Sequence, residues 1–451
     1  MAMGLKLQKL RVAVWGEAPD SPEERKLLRK IDFSILTYCC VAFFFNYLDI
    51  VGQVPHGLVI QKVAPRIWFP LMTLVWALLT MVCAACHSFQ QLAPVRFFQG
   101  VAEASTYSGT QYIIGSWYKG PEVGKRVGLF QASGMVGTMF AGKSTQYSND
   151  GYLEHYGWSI WPARLEMERQ SFIIDGIITI PVAVFGFIFF PDLPETTKAF
   201  YMKPHERELA LSRLPPKDPE GHKIGASIIK RVLLAPNFWI FTIFWMLGGA
   251  LEAYTTQTCM VLWMKASGLF TVPQNNTYPL GITAIGIVLT LATSVAIDAT
   301  GVHVPYGLAA CGIQIITCVV LLCWDVVGTS AKMGAFYLAG TAYLIQPVVF
   351  TWANKILARD GDDVARAVIL CAMNGASSVL FSFWGITLYP ARDAATGFQN
   401  GTIAMVVVSV FLAGWIGIVW WQDKRTACIQ AGHPVTDARA EQGAYKYPCK
   451  E

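Results

Sequence analysis

Residues 402–421 read Thr402-Ile403-Ala404-Met405-Val406-Val407-Val408-Ser409-Val410-Phe411-Leu412-Ala413-Gly414-Trp415-Ile416-Gly417-Ile418-Val419-Trp420-Trp421, and the chain then turns to Gln422-Asp423-Lys424-Arg425. About 20 residues without a charge are the length an α-helix needs to cross the hydrocarbon core of a bilayer. A backbone in lipid has to satisfy its own hydrogen bonds, which a helix does. The run is continuous rather than alternating, so it does not read as a barrel strand. Working back along the chain, comparable apolar runs fall at about 33–61, 68–88, 92–117, 127–142, 172–190, 236–264, 279–298, 304–325, 333–354 and 366–388. The fold class expected is therefore an all-α membrane protein with about 11 apolar spans.

Composition agrees. Of 451 residues, 54% are hydrophobic and 14% charged, against about a quarter charged in a soluble domain. The formal net charge of +5 points to membrane sidedness rather than to nucleic acid. Residues 1–30 are polar and basic, too long for the n-region of a cleaved signal. Most of the eleven cysteines sit inside apolar runs, where Cys acts as a small packing residue; this includes the CxxC at Cys83 and Cys86. There is no phosphate-binding GxxxxGK[ST] loop, and the seven His residues are scattered, so no cofactor or metal is expected. A membrane enzyme is disfavoured on the same grounds.

The polar stretch 191–235 splits the runs into five and six, which suggests two helical bundles joined by a linker. The expected organisation is an N-tail (1–30), an incomplete N-terminal bundle (31–190), the linker (191–235), a six-helix bundle (236–423) and a C-tail (424–451). Basic residues in the N-tail, the linker and the loops at Lys62, Lys119, Lys355 and Arg359 place those segments on the cytoplasmic side. The sequons at Asn275 and Asn400 fall on the other side. Five crossings cannot join two cytoplasmic segments. The conflict traces to 33–61, which is too short for two spans and a turn.

Four stretches carry a family resemblance: Arg96-Phe97-Phe98-Gln99-Gly100-Val101-Ala102-Glu103-Ala104, Tyr112-Ile113-Ile114-Gly115-Ser116-Trp117-Tyr118, Phe172-Ile173-Ile174-Asp175-Gly176 and Phe190-Pro191-Asp192-Leu193-Pro194-Glu195. The chain resembles the major facilitator superfamily in its anion:cation symporter branch, and within it the fungal allantoate/pantothenate/vitamin permeases. The resemblance implies nominally twelve spans, with the first two fused or truncated here. It also implies cytoplasmic termini in a plasma membrane, and a monomer that couples a proton to a small organic anion. The sequence departs from the family in three places. At Asp49–Ile50, Ile50 stands where relatives carry Arg, and roughly 30 residues are absent, about the length of one span. The fifth span turns polar at Lys143-Ser144-Thr145-Gln146, and extra residues stand near Arg164, Glu166, Glu168 and Arg169.

Arg96 and Glu103 lie seven apart, on one side of a helix and about 10 Å apart along it. A charge inside a span costs at least about 2.5 kcal/mol and generally faces a partner or a wet cavity. The resemblance makes Arg96 a ligand for the substrate carboxylate and Glu103 a proton site, with Gln99 between them. The alternative is an interfacial Arg and an interhelical hydrogen bond. Asp49 matches the family's first-span acid, a second proton site, or is a stranded helix-end residue. Glu252 either faces the central cavity or is solvated near a helix end. Tyr343, Gln346 and Asn374 either line the cavity or make polar helix–helix contacts. Trp263 and Trp352 read as packing or interfacial aromatics rather than substrate stackers, and Asp175 and Asp298 as interfacial or structural residues near span ends.

The function expected is proton-coupled import of a small organic anion, such as pantothenate, nicotinate or allantoate, by alternating access. A shortened product without transport, or a nutrient sensor on a transporter scaffold, are the alternatives. The expected partners are the anion, a proton and the bilayer, with no nucleic acid.

Overall fold

The computed structural model describes residues 63–86, 89–149, 166–214, 231–256, 258–360 and 362–432. The run 33–61, including Asp49 and its junction with Ile50, lies outside the described residues, as does Arg164.

Four long helices make up the described part of the first bundle: α1 (Pro65–Ala85), α2 (Phe89–Trp117), α3 (Gly120–Asn149) and α4 (Glu166–Phe189). Helix α5 (Pro204–Ser212) lies in the linker; Glu206 closes its first turn by accepting from the Lys203 backbone N–H at 2.8 Å. The second bundle starts with an interrupted crossing: α6 (Pro236–Leu251), α7 (Ala253–Thr256) and α8 (Cys259–Ser267). The short α9 (Val272–Thr277) leads into α10 (Leu280–Thr300), followed by α11 (Val304–Leu322). A second interrupted crossing joins α12 (Thr329–Ala339), a 3₁₀ turn (Gly340–Leu344) and α13 (Ile345–Leu357). Helices α14 (Asp363–Leu388) and α15 (Gln399–Gly432) complete the bundle.

Among the described residues, each apolar run from 68–88 onward falls mainly on helix. Seven helical stretches among the described residues are long and apolar enough to cross a membrane. Helices α2 and α3 are not among them, although each is about 30 residues long. Their sequences carry the polar groups that face other helices, among them Gln99, Glu103, Gln111 and Gln131, which are all buried. The Lys143–Gln146 stretch stays helical, within α3. Helix α15 runs past the apolar stretch to Gly432.

Both interruptions have local causes. Glu252 is the C-cap of α6, and Thr258 has φ +52°, a left-handed geometry that an α-helix cannot propagate through. The 3₁₀ turn at Gly340–Leu344 brings Gly340 against the Ile282 carbonyl, where a side chain would not fit. Trp263 stacks on Phe336 (centroids 5.4 Å), and Trp352 is fully buried and packs edge-on to Phe244, so both are packing aromatics.

Arg66, at the start of α1, pairs with Asp192, just beyond α4, at 3.6 Å. Arg213 of the linker pairs with Glu122 of α3 at 2.7 Å. These contacts define a linker end of the molecule, which also holds Lys119, Thr300, Leu357 and Asp363; the sequons lie at the far end. Side chains such as Leu78, Ile177, Val319 and Phe411 point outward, as expected of surfaces that meet lipid.

Candidate functional site

The two bundles meet along a seam that is closed at the linker end. Asp298, in the last turn of α10, accepts the backbone N–H groups of Gly124 (2.9 Å) and Lys125 (2.8 Å) in the first turns of α3. Those amides lie within the first two turns of α3, near the positive end of the helix dipole, which favours a carboxylate there. One turn along the same contact, a methyl on Gly128 would collide with Ser294, so glycine sets how closely α3 and α10 approach. On the other flank, Arg366 of α14 is buried. Its guanidinium donates to Ser116 Oγ (2.8 Å) and to the Gly115 carbonyl (3.4 Å), pairs with Asp363 (2.9 Å) and lies over the Tyr112 ring. Asn354 of α13 fills the space above Gly115, where a methyl would overlap its amide oxygen.

Toward the middle of the molecule the seam becomes aromatic. Tyr107 of α2 meets the edge of Phe350 of α13 (centroids 5.4 Å), and Phe350 packs on Trp245 of α6 (4.7 Å). The Tyr107 hydroxyl accepts from Gln131 Nε2 of α3 at 3.3 Å. One turn earlier on each helix stand Glu103 on α2 and Gln346 on α13.

The residues expected from sequence fall into two groups. Glu252 and Gln346 come together on one wall of the second bundle, while Asn374 meets Trp245. Gln346 Nε2 donates to Glu252 Oε2 at 3.0 Å, which ties the break in α6–α8 to the start of α13. Asn374 of α14 accepts from Trp245 Nε1 at 3.4 Å. Glu252 is buried rather than solvated, with 4% of its surface exposed. Tyr343 sits in the 3₁₀ turn with its ring on Gly286, and its carbonyl accepts from Thr290 Oγ1 at 3.2 Å.

The residues of α2 diverge. Arg96 lies over the ring of Phe172 in α4, 5.0 Å from its centroid. Gln99 turns to α1, donating to Thr80 Oγ1 (3.1 Å) and accepting from Cys83 Sγ (3.4 Å). That is an interhelical polar contact, and it places Cys83 in packing. Glu103, 8% exposed, stands one turn from Gln99 on one side and one turn from Tyr107 on the other. A cleft of about 600 Å³ lined by Arg66, Lys198 and Arg207 opens at the linker end between α1 and α5, away from the seam.

Arg366, Asn354, Tyr107 and Trp245 carry the seam and were not among the residues selected from sequence. Arg366 was the one with a signal, an ionisable side chain in the first turn of an apolar run. Asp298 reads from sequence as interfacial or structural, and its role across the seam comes only from its partner, more than 170 positions away.

Two bundles of membrane-crossing helices, with buried polar groups along the seam between them, define a polytopic carrier of the two-bundle kind. The chain belongs to the major facilitator superfamily, whose family model matches residues 27–385. It is 38% identical over 441 residues to the pantothenate transporter liz1 of Schizosaccharomyces pombe, covering 89% of this chain and 84% of that protein. It is 33% identical over 437 residues to the pantothenate transporter FEN2 of Saccharomyces cerevisiae, covering 86% of this chain and 82% of that one. Among solved structures, the fold matches the transporter FucP in the outward conformation with a TM-score of 0.56 at 13% identity, over 90% of this chain and 96% of that chain. The chain is thus a multi-pass membrane transporter of that superfamily and not an enzyme.

Proposed function

We propose that this chain imports a small carboxylate vitamin, pantothenate first among the candidates, together with a proton, by alternating access between its two bundles. The observation that carries this reading is the similarity to two pantothenate transporters along most of both chains. The geometry is compatible with it. The linker end is closed by contacts between the bundles that include polar bonds able to exchange with water. Buried carboxylates stand on both bundles, Glu103 on α2 and Glu252 on α6.

In this scheme the linker faces the cytoplasm of a plasma-membrane monomer, and Glu103, with Asp49, takes up the proton from outside. Arg96 attracts the anion. Glu252, Gln346 and Asn374 hold its polar groups from the second bundle, with Tyr343 behind them. Gln99 supports this arrangement from the α1–α2 contact. Removing a carboxylate from water penalises its charge, which is what a proton carrier needs.

The test is uptake of labelled pantothenate, nicotinate and allantoate by cells expressing the chain, from pH 4 to 8. Saturable, acid-stimulated uptake is expected, and Glu103→Gln should flatten the pH dependence. No accumulation of any of the three would refute the transport reading and favour a non-transporting product. Unchanged pH dependence in Glu103→Gln would remove Glu103 as the proton site.

A further inference from the structure

Just to the linker side of the Tyr107–Phe350 contact, the seam contains a layer of polar side chains that the closed arrangement leaves unsatisfied. Gln111 of α2 is fully buried, and among the described residues neither its Nε2 nor its Oε1 has a hydrogen-bond partner. It is placed by its helix. Gln111 lies one turn after Tyr107 and one turn before Gly115, the residues that touch Phe350 and Asn354 of the second bundle. Around it, Asn354 Oδ1 and Gln131 Oε1 are also buried without a partner, although the amide nitrogens of both residues are bonded, to the Phe350 carbonyl and the Tyr107 hydroxyl. The Nε–H of Arg366, buried one turn along, has no acceptor.

Leaving a buried polar group unpaired forfeits its hydration without return, and buried amides are nearly always bonded. A core amide kept for packing alone would be better served by Leu or Met. These atoms all border one contact between two bodies that must separate for transport, so they become accessible together when the linker end opens.

We propose that Gln111, Gln131, Asn354 and Arg366 form a release-side binding subsite, which holds the solute after it has passed the aromatic contact. The chemistry of the unpaired atoms specifies the ligand class. Two kinds of N–H donor, on Gln111 and on the Arg366 guanidinium, match a carboxylate. Three amide carbonyls, on Gln111, Gln131 and Asn354, match hydroxyl or amide N–H donors. The ligand is a small carboxylate that also carries hydroxyl or amide groups; a plain aliphatic acid would leave the carbonyls unmet. This assignment rests on the transport reading above and adds to it a second binding position and a selectivity rule.

The experiment compares purified wild-type protein, Gln111→Leu and Gln314→Leu. Gln314 is the control: it too is fully buried with both amide atoms unpaired, but it lies on α11 within the second bundle. Three quantities are read: melting temperature alone, its shift with pantothenate or with butyrate, and uptake in cells. Gln111→Leu is expected to melt at or above wild type, to lose the pantothenate-induced shift, and to take up pantothenate at least tenfold more slowly. Gln314→Leu should match its stability and keep both the shift and the uptake. Butyrate should give wild type a much smaller shift than pantothenate.

A marked fall in the melting temperature of Gln111→Leu would overturn the proposal, because the amide would then be bonded in the resting fold, for instance through water. Undiminished shift and uptake in Gln111→Leu would overturn it while leaving the transport reading intact. Wild type that binds but does not transport would reject the transport reading alone, and the loss of the shift in Gln111→Leu would still support the subsite. Wild type that neither shifts nor transports would reject both.

Discussion

Neutralising Asp298 should bias the transporter toward an open linker end. The carboxylate joins the bundles through two backbone N–H bonds, at 2.9 Å to Gly124 and 2.8 Å to Lys125, at the positive end of α3. Hydrogen bonds to a charged group contribute about 1.5–3 kcal/mol each, and a charge at a helix end adds about 0.3–1 kcal/mol. Asp298→Asn keeps the shape and one acceptor oxygen but loses the charge and one bond, a cost of about 2 kcal/mol to the closed arrangement. Because the two partners separate when the seam opens, that cost falls on the closed state alone. The ratio of closed to open molecules should therefore drop about 30-fold.

Spin labels at Lys119 and Thr300, both exposed at the linker end on opposite bundles, would report that ratio as two distance populations. Asp325→Asn, exposed at the far end, is the control for lost charge in general. Asp298→Ala, which removes both bonds, should open the seam further than Asp298→Asn. If the distance distribution in Asp298→Asn matched wild type, or shifted no more than in Asp325→Asn, the carboxylate would not be what holds the seam.

Gly115→Ala places a methyl onto the Asn354 amide and should shift the same spin-label distances toward the open linker end, whereas adding Asn354→Ala should return them to the wild-type distribution; failure of the double variant to recover would refute the steric reading. Gln346→Leu leaves Glu252 without the 3.0 Å donor that links the two interrupted crossings, and a loss of about 1–3 kcal/mol in unfolding stability is expected, measured by thermal denaturation. His303, between α10 and α11 and outside the spans, stacks on Trp352 with centroids 5.2 Å apart; burial, with Lys355 and Arg359 nearby, pushes its pKa down to about 3 against the opposing pull of Asp423. Its folded value lies below the unfolded one, so the unfolded chain binds more protons as pH falls. Stability is complete above about pH 6.5 and is lost toward pH 3, at up to about 1.4 kcal/mol per unit from this group. His303→Phe should keep the stack and flatten melting temperature against pH across that window.

The crossings were legible in the sequence because lipid imposes a length and a composition that no tertiary contact can override. The run at 402–421 is the plainest case. What hydropathy could not register was conformation inside a run. Thr258 is unremarkable by polarity, and only its left-handed φ breaks the helix. The turn at Gly340–Leu344 is hidden in the same way. Spacing along α2 groups Arg96, Gln99 and Glu103 near one side, but it cannot say what that side meets. Phe172 and Thr80 take two of the three. Glu252 was open between solvent and cavity, and burial decided for the interior. The seam residues were hardest to find, since their partners are assigned by the packing of one bundle on the other.

That packing also shows how the two bundles are related. Among the described residues, helices α1 and α4 form the most extensive pair of the first bundle, and α11 with α15 is one of the two equally extensive pairs of the second, beside α6 with α14. Both α1 and α11 begin with a proline in their first turn, Pro65 and Pro305. Trp117, ending α2, donates to the Asp192 carbonyl beyond α4 at 3.1 Å, and Trp352, near the end of α13, donates to the Asp423 carboxylate in α15 at 2.8 Å. By this matching α3 corresponds to α14, and the two helix starts are capped differently. The amides at the start of α3 are met by Asp298 from the other bundle. At the start of α14, Asp362 of the same segment accepts from Ala365 at 2.9 Å and pairs with Arg231 of the linker at 2.8 Å. Only the first of these caps has to break when the linker end opens. Capping charge therefore resists opening on the α3–α10 flank, while the α14 flank depends on Arg366 and its bonds to Ser116 and Gly115. Those bonds hold the same guanidinium whose buried Nε–H has no acceptor, so a carboxylate that engages Arg366 would compete with the contacts that keep the seam shut.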